Sequence, residues 1–379
     1  MIVGQTAGPA EPGDGRYVEM SLTALTTHPA GMLELVPLEE PACLIRPDGS
    51  PSTAVGLKMP DDGDLVGLYR RLVAARRFDR QATTLTRQGR LAVYPSAGGQ
   101  EACQVGAALA LRPQDWMFPT YRDTVAIVTR GVPPVEVLSL LRGDWHCGYD
   151  PRRWRTAPQC TPLATQALHG VGLAAAAKRA HDDVAVLVFL GDGATSEGDA
   201  NIALNFAAVF EAPVVFFIQN NQYAISVPLS RQTKSPTLAH RAIGYGLPGY
   251  RVDGNDVVAV RAMVAHLLDE ARDGGGPSVI EAVTYRMEAH TNADDASRYR
   301  SPEEAKSWVE RDPLVRLETY LTDRGLLDQP LHRRIVRSRR GRLAAPGRAI
   351  QIPGPGEPAS GYGWEKQLGR CVLHRKGRA

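Results

Sequence analysis

Apolar residues recur at helical spacing soon after residue 60. Leu65, Leu68, Tyr69, Leu72 and Val73 mark one face of an amphipathic helix that the pattern carries to about Gln88, with Asp64 placed to cap its start. A second helix is expected over 100–111, with Pro113 just beyond it. A third is expected over 165–179, where the alanine run 174–177 calls for close packing. Two short, continuously apolar segments follow, 184–190 and 213–218, with a helical pattern between them at 199–210. Apolar runs of this length, unbroken by polar positions, read as parallel strands buried on both faces. Ser278–Val283 is a third such strand, followed by a long polar loop to about Ser301. Strands alternating with helices imply an α/β fold with a mostly parallel central sheet flanked by helices.

The ends of the chain lack this regularity. Residues 1–60 are rich in Pro and Gly, with turn signals such as Arg46-Pro47-Asp48-Gly49, and read as an extended arm lying against something else. The body is expected over 61–330. From Arg333 no period of 3.6 or 2 is visible, and 331–379 reads as a basic tail dense in Arg, Gly and Pro.

Charge sharpens this division. The 379 residues carry a net charge of +3, but 331–379 hold 12 Lys and Arg against 2 Asp and Glu. The remaining residues hold 32 basic and 39 acidic side chains. An acidic body is a poor nucleic-acid binder, and the tail has neither aromatic interleaving nor a recognisable module, so no nucleic-acid role is expected. At 43% hydrophobic and 22% charged, the composition excludes collagen-like and fully disordered classes. Cys43, Cys103, Cys147, Cys160 and Cys371 are odd in number and form no C-x-x-C pair, which argues against a disulfide framework or a zinc site and for a cytoplasmic location. No apolar run approaches the roughly 20 residues of a membrane span, and no signal peptide is visible, so no membrane association is expected.

The chemistry concentrates at two strand ends. Gly191-Asp192-Gly193 directly follows one buried strand and Asn220-Asn221 the next, with 26 residues between the two clusters. Both fall where open α/β sheets bind ligands, at the carboxyl ends of neighbouring strands. An anionic oxygen from Asp192 and an amide oxygen from Asn221 suit Mg²⁺, which takes few protein ligands and the rest from phosphate and water. The two glycines let backbone approach a diphosphate, and the helix that follows adds amide donors. After Gly193 the next glycine is Gly198, so the nicotinamide fingerprint is absent.

Gly191-Asp192-Gly193 with Asn220-Asn221 resembles the thiamine diphosphate motif. The longer stretches 191–199 and 220–226 are similar to the alpha subunit of the decarboxylating component of 2-oxo acid dehydrogenase complexes. The resemblance runs from about Asp64 to Leu321. It includes Gly98-Gly-Gln-Glu-Ala102, Pro119-Thr-Tyr-Arg-Asp123, Thr161-Pro-Leu-Ala-Thr-Gln166, Arg251-Val-Asp-Gly-Asn-Asp256 and the segment 290–300. It implies a thiamine diphosphate-binding fold and oxidative decarboxylation of a 2-oxo acid, with the acyl group passed to the lipoyl group of an acyltransferase partner. Asp192, the side chain of Asn221 and the carbonyl of Tyr223 would bind Mg²⁺. Gly193 and Ala194 would line the diphosphate, and Tyr121 with Arg122 would contact it, a guanidinium fork suiting that task. The alternative for Arg122 is a surface ion pair with Asp123.

Thr161, Leu163, Thr165 and Gln166 match a segment that contacts the cofactor and frames K⁺ in branched-chain members. Cys160 stands where those members show Ser, a departure at the potassium site. His290 would hydrogen-bond to substrate and cofactor and shuttle protons, its loop marked by Asp294-Asp295 and Tyr299-Arg300. Thr291 occupies a position that is a regulatory phosphoserine in mitochondrial relatives. His146, His169 and His240 have no such context.

In the family, the glutamate that activates the cofactor lies on a separate beta subunit. Nothing after Leu321 resembles a second cofactor domain, so an α₂β₂ assembly, inactive without its partner, is expected. Thr161-to-Gln166 and Asp294-Asp295 lean toward branched-chain substrates. Gln219 in place of an arginine, and Ala289 in place of His or Gly, keep pyruvate open. A non-catalytic subunit would lack Asp192, Asn221 or His290, and all three are present. The tail departs from the family's amphipathic ending and reads as a frameshifted or otherwise aberrant C-terminus, which leaves a subunit catalytically impaired by that ending as a further alternative.

Overall fold

The computed structural model describes residues 35–54 and 56–338. Its frame is a five-stranded, wholly parallel sheet built from β1 (Trp116–Phe118), β2 (Val186–Gly191), β3 (Val214–Asn220), β4 (Gly249–Asp253) and β5 (Ser278–Val283), in the order β1-β2-β3-β5-β4. The strands are apolar at successive positions because each face meets a helical layer. Leu187, Phe189, Val215, Phe217 and Ile280 point to one layer, and Val186, Val188, Leu190, Val214, Phe216 and Ile218 to the other. The first layer contains α1 (Asp62–Arg87), α2 (Glu101–Ala110), α3 (Thr124–Arg130) and α6 (Val257–Glu270). The second contains α4 (Thr165–Ala180) and α5 (Gly198–Phe210), which joins β2 to β3.

The alanine-rich α4 lies close on the sheet. A Cβ added at Gly170 would stand 2.5 Å from Val188 Cγ2 and 3.5 Å from the Phe118 ring. Gly170→Val is therefore expected to destabilise the chain by about 1–3 kcal/mol through overpacking, read as a lower denaturant midpoint. A midpoint at the wild-type value would show that this layer yields.

Several boundaries differ from the sequence reading. The cap of α1 is Asp61, whose Oδ1 accepts from Asp64 N at 2.8 Å. Asp62 and Asp64 then sit inside the first turn, where the helix dipole favours negative charge. β3 continues through Asn220 because Gln219 and Asn220 still pair with Ala282 and Val283 of β5.

The described part of the arm lies against its own chain. Ala42 bridges Val252 at the β4 edge, and the amides of Leu44 and Ile45 both donate to Asp256 Oδ2 at 2.7 Å. Asp256 Oδ1 caps α6 through Val258 N and Ala259 N, so one buried carboxylate fastens arm and helix together.

The expected division after residue 330 is crossed by a helix. After α7 (Pro313–Asp323), α8 runs over Gln329–Ser338 and buries Ile335 at 2% exposure in the core beside α1. Leu331 and Ile335, four residues apart, form its apolar face and continue the spacing of Leu327 just before the helix, a period hidden among the arginines. The remainder of the expected tail, 339–379, and residues 1–34 of the arm lie outside the described residues. Among the described residues no helix is long and apolar enough to cross a membrane.

Candidate active site

The carboxyl ends of β2 and β3 open into a pocket of about 200 Å³. From β2 the chain passes through Asp192, 1% exposed, into a single 3₁₀ turn, Gly193–Ser196. Gly193 is required by closeness, since a Cβ there would come within 2.7 Å of Ala224 Cβ. From β3 the two asparagines divide their work. Asn220 Nδ2 donates to Glu281 Oε1 at 2.7 Å and secures the strand end, whereas Asn221 lines the pocket, its Nδ2 bonded to Gln100 Oε1 at 3.2 Å.

Beyond Asn221 the backbone is unusual. Gln222 and Ile225 have φ of +75° and +55°, and such a value for a β-branched residue stores on the order of 1–3 kcal/mol. The two-residue strands Tyr223–Ala224 and Val227–Pro228 form the hairpin around Ile225. Arg286 holds it in this shape by donating to the carbonyls of Tyr223 at 3.1 Å and Ile225 at 2.6 Å.

Opposite these strand ends stands a cationic wall. Arg122 is 5% exposed and forms no ion pair with Asp123, so the surface-pair alternative fails. Asp123 is itself buried, accepting from Thr120 N and Gln219 Nε2 at 2.7 Å each. Arg122 donates instead to the carbonyls of Ser96 at 2.9 Å and His290 at 3.0 Å, and lies 3.1 Å from His290 Nδ1. Arg286 Nη1 lies 3.3 Å from the same Nδ1. Since both guanidiniums only donate, Nδ1 is the acceptor and the imidazole proton sits on Nε2. Burial and the adjacent Arg122 and Arg286 charges push the His290 pKa down to about 4, with Asp294 opposing. The loop is set by Asp294 Oδ2, which accepts from His290 N and the Tyr299 hydroxyl, and by Arg300 bonded to the carbonyls of Arg286 and Met287.

Burial raises the Asp192 pKa, with Gln232 and Arg286 pulling the other way. A bound cation would remove that strain. The pocket thus combines a desolvated carboxylate with two guanidiniums that, among the described residues, bridge to no carboxylate. Gln100, 1% exposed, leaves its Nε2 without a partner. These features fit the expected diphosphate with a hard cation: the arginines would balance its negative charge, Asp192 and Asn221 would hold the metal, and Gly193 would let backbone approach.

Tyr121, Arg122, Leu163, Asp192, Gly193, Ala194, Asn221, Tyr223 and His290 all line this one pocket. Thr161 does not; it lies exposed on the preceding loop. Thr165 and Gln166 are engaged internally, with Asp199 Oδ2 at 3.3 Å and the Phe189 carbonyl at 2.8 Å. Sequence reasoning assigned no role to Arg286, Gln100 or Gln232. Only the fold brings Arg286 and Gln100 to the pocket and Gln232 to Asp192, although Arg286 stands four residues before His290 and Gln100 lies inside a matched segment.

The chain matches the family model described as "Dehydrogenase E1 component" over residues 69–345. It is 51% identical over 310 residues to the 3-methyl-2-oxobutanoate dehydrogenase subunit alpha of Mycobacterium tuberculosis, covering 81% of this chain and 84% of the relative. It is 38% identical over 281 residues to the pyruvate dehydrogenase E1 component subunit alpha of Staphylococcus aureus, covering 73% and 76% respectively. A parallel α/β frame, a pocket at its strand ends and these two likenesses agree: the chain belongs to the dehydrogenase E1 component family.

Proposed function

We propose that the chain is the alpha subunit of a thiamine diphosphate- and Mg²⁺-dependent 2-oxo acid dehydrogenase acting on branched-chain 2-oxo acids. The observation that carries the reading is the unneutralised pair Arg122 and Arg286 facing buried Asp192 and Asn221 across one pocket. Thiamine diphosphate, when bound, supplies the chemistry that lets CO₂ leave a 2-oxo acid and the acyl group pass to a lipoyl disulfide. The chain supplies the rest. Asp192, Asn221 and the Tyr223 carbonyl hold the cation, Arg122 and Arg286 balance the phosphate charge, and Gly193 and Ala194 let backbone approach it. His290 presents its Nε2–H to the reacting groups.

A volume of about 200 Å³ is below the roughly 300–1,000 Å³ of complete small-molecule sites, which supports a half-site closed by a beta subunit. The lipoyl-bearing acyltransferase is the expected second partner. A cytoplasmic setting suits the four free cysteines among the described residues. The 51% likeness to a 3-methyl-2-oxobutanoate dehydrogenase subunit favours branched-chain substrates. Pyruvate is the second reading, favoured by Gln219, which lines the pocket without the charge of an arginine.

The chain purified with its beta subunit, thiamine diphosphate and Mg²⁺ is expected to show higher kcat/KM on 3-methyl-2-oxobutanoate than on pyruvate, and the chain alone no turnover. The reverse preference would support the pyruvate reading. Robust decarboxylation by the chain alone would end the half-site reading.

A further inference from the structure

Asp192 does not stand alone on its turn. Gln232, closing the short helical turn Leu229–Gln232, donates to Asp192 Oδ2 at 2.7 Å and to the Val227 carbonyl at 2.9 Å, both from Nε2. These two acceptors settle which way the amide points, since a flipped amide would set oxygen against carboxylate and carbonyl. Gln232 Oε1 is buried and has no partner, which marks an arrangement kept for its donor side.

The same segment returns to the other expected cation ligand. Val227 and Pro228 pair with Ala224 and Tyr223, and Leu229 N donates to the Gln222 carbonyl at 2.9 Å. The Gln232 amide therefore joins the Asp192 turn at the end of β2 to the hairpin carrying the Tyr223 carbonyl at the end of β3. We infer that Gln232 is a positioning residue for the cation site: it fixes Asp192 Oδ2, presents Oδ1 to the cation and ties the hairpin of Tyr223 to that carboxylate. Ligating carboxylates held in this way bind metal more tightly than unsupported ones. The inference rests on the thiamine diphosphate–Mg²⁺ reading of the pocket.

The test is Gln232→Met, which keeps the length of the side chain and removes both N–H donors, in the chain assembled with its beta subunit. Mg²⁺ is titrated against fixed thiamine diphosphate by calorimetry and, separately, by turnover. The Mg²⁺ Kd is expected to rise about 10–100-fold. Saturating Mg²⁺ is expected to restore kcat to wild type, because only binding of the cation has been weakened. An unchanged Kd overturns the inference, and so does a tighter one, which would make Gln232 a competitor of the cation. A kcat loss that excess Mg²⁺ does not recover also overturns it, since the substitution would then act on something other than binding of the cation. Asp192→Asn run alongside separates the two levels. If it keeps the wild-type Mg²⁺ Kd, the cation-site reading itself fails; if it loses Mg²⁺ binding while Gln232→Met keeps the wild-type Kd, only the role of Gln232 falls.

Discussion

Asp192→Asn is expected to abolish Mg²⁺-dependent binding of thiamine diphosphate without unfolding the chain. Losing even a hydrogen-bond partner of a metal ligand costs about 10–100-fold in affinity, so losing the one carboxylate of this ligand set will cost at least about 100-fold. The substitution is isosteric, and the new amide can turn its oxygen to the Gln232 N–H that now meets Oδ2. Its NH₂ then occupies the position from which Oδ1 would reach the cation. Stability is expected to move the other way. The carboxylate is 1% exposed and its pKa is raised chiefly by burial, so the uncharged amide relieves a desolvation cost. The thermal midpoint of the metal-free variant should equal or exceed that of wild type while cofactor binding is lost. Calorimetry with and without Mg²⁺ beside a thermal melt reads both. Retained Mg²⁺-dependent binding would remove Asp192 from the site.

That opposition explains much of what the sequence disclosed and concealed. Asp192 and Asn221 were legible because their spacing places polar residues at the ends of two unbroken apolar runs, and such runs form buried parallel strands. Ser278–Val283 was legible for the same reason. Arg286 was not. It is completely buried yet holds two carbonyls of a strained hairpin some sixty residues away in sequence, and no local period announces such a contact. Gln232 was hidden likewise, since its partner lies forty residues upstream. The turn of helix at Ile335 was missed because exposed arginines surround it and mask a four-residue apolar spacing. Contacts made along the chain could be read in advance; those made by loops crossing the strand ends could not.

His290→Asn is expected to lower turnover by about 10²–10⁴-fold, the range for a positioned general acid–base group, with little effect on cofactor affinity. The separation follows from the geometry. Arg122 keeps its bond to the Ser96 carbonyl and Arg286 its bonds to Tyr223 and Ile225 when the imidazole is gone, so the cationic wall stands. What disappears is the Nε2–H that the two guanidiniums enforce by occupying Nδ1. The same pair sets a pH signature in the cofactor-free chain. With its folded pKa lowered to about 4 from an ordinary 6.5, His290 is neutral in the folded chain and protonated in the unfolded chain between those values. The unfolded state binds the extra proton there, so His290 weakens folding as pH falls from 6.5 toward 4, and has no effect on stability above that window. Asn does not titrate, so the variant should lose less stability than wild type across this interval, while the two behave alike from pH 7 to 8. Denaturant midpoints at pH 5 and pH 7.5, set beside kcat and the thiamine diphosphate Kd, test the whole assignment. Parallel losses for both proteins at pH 5 would mean that Arg122 and Arg286 do not hold the imidazole neutral, and a variant with wild-type kcat would take His290 out of the chemistry.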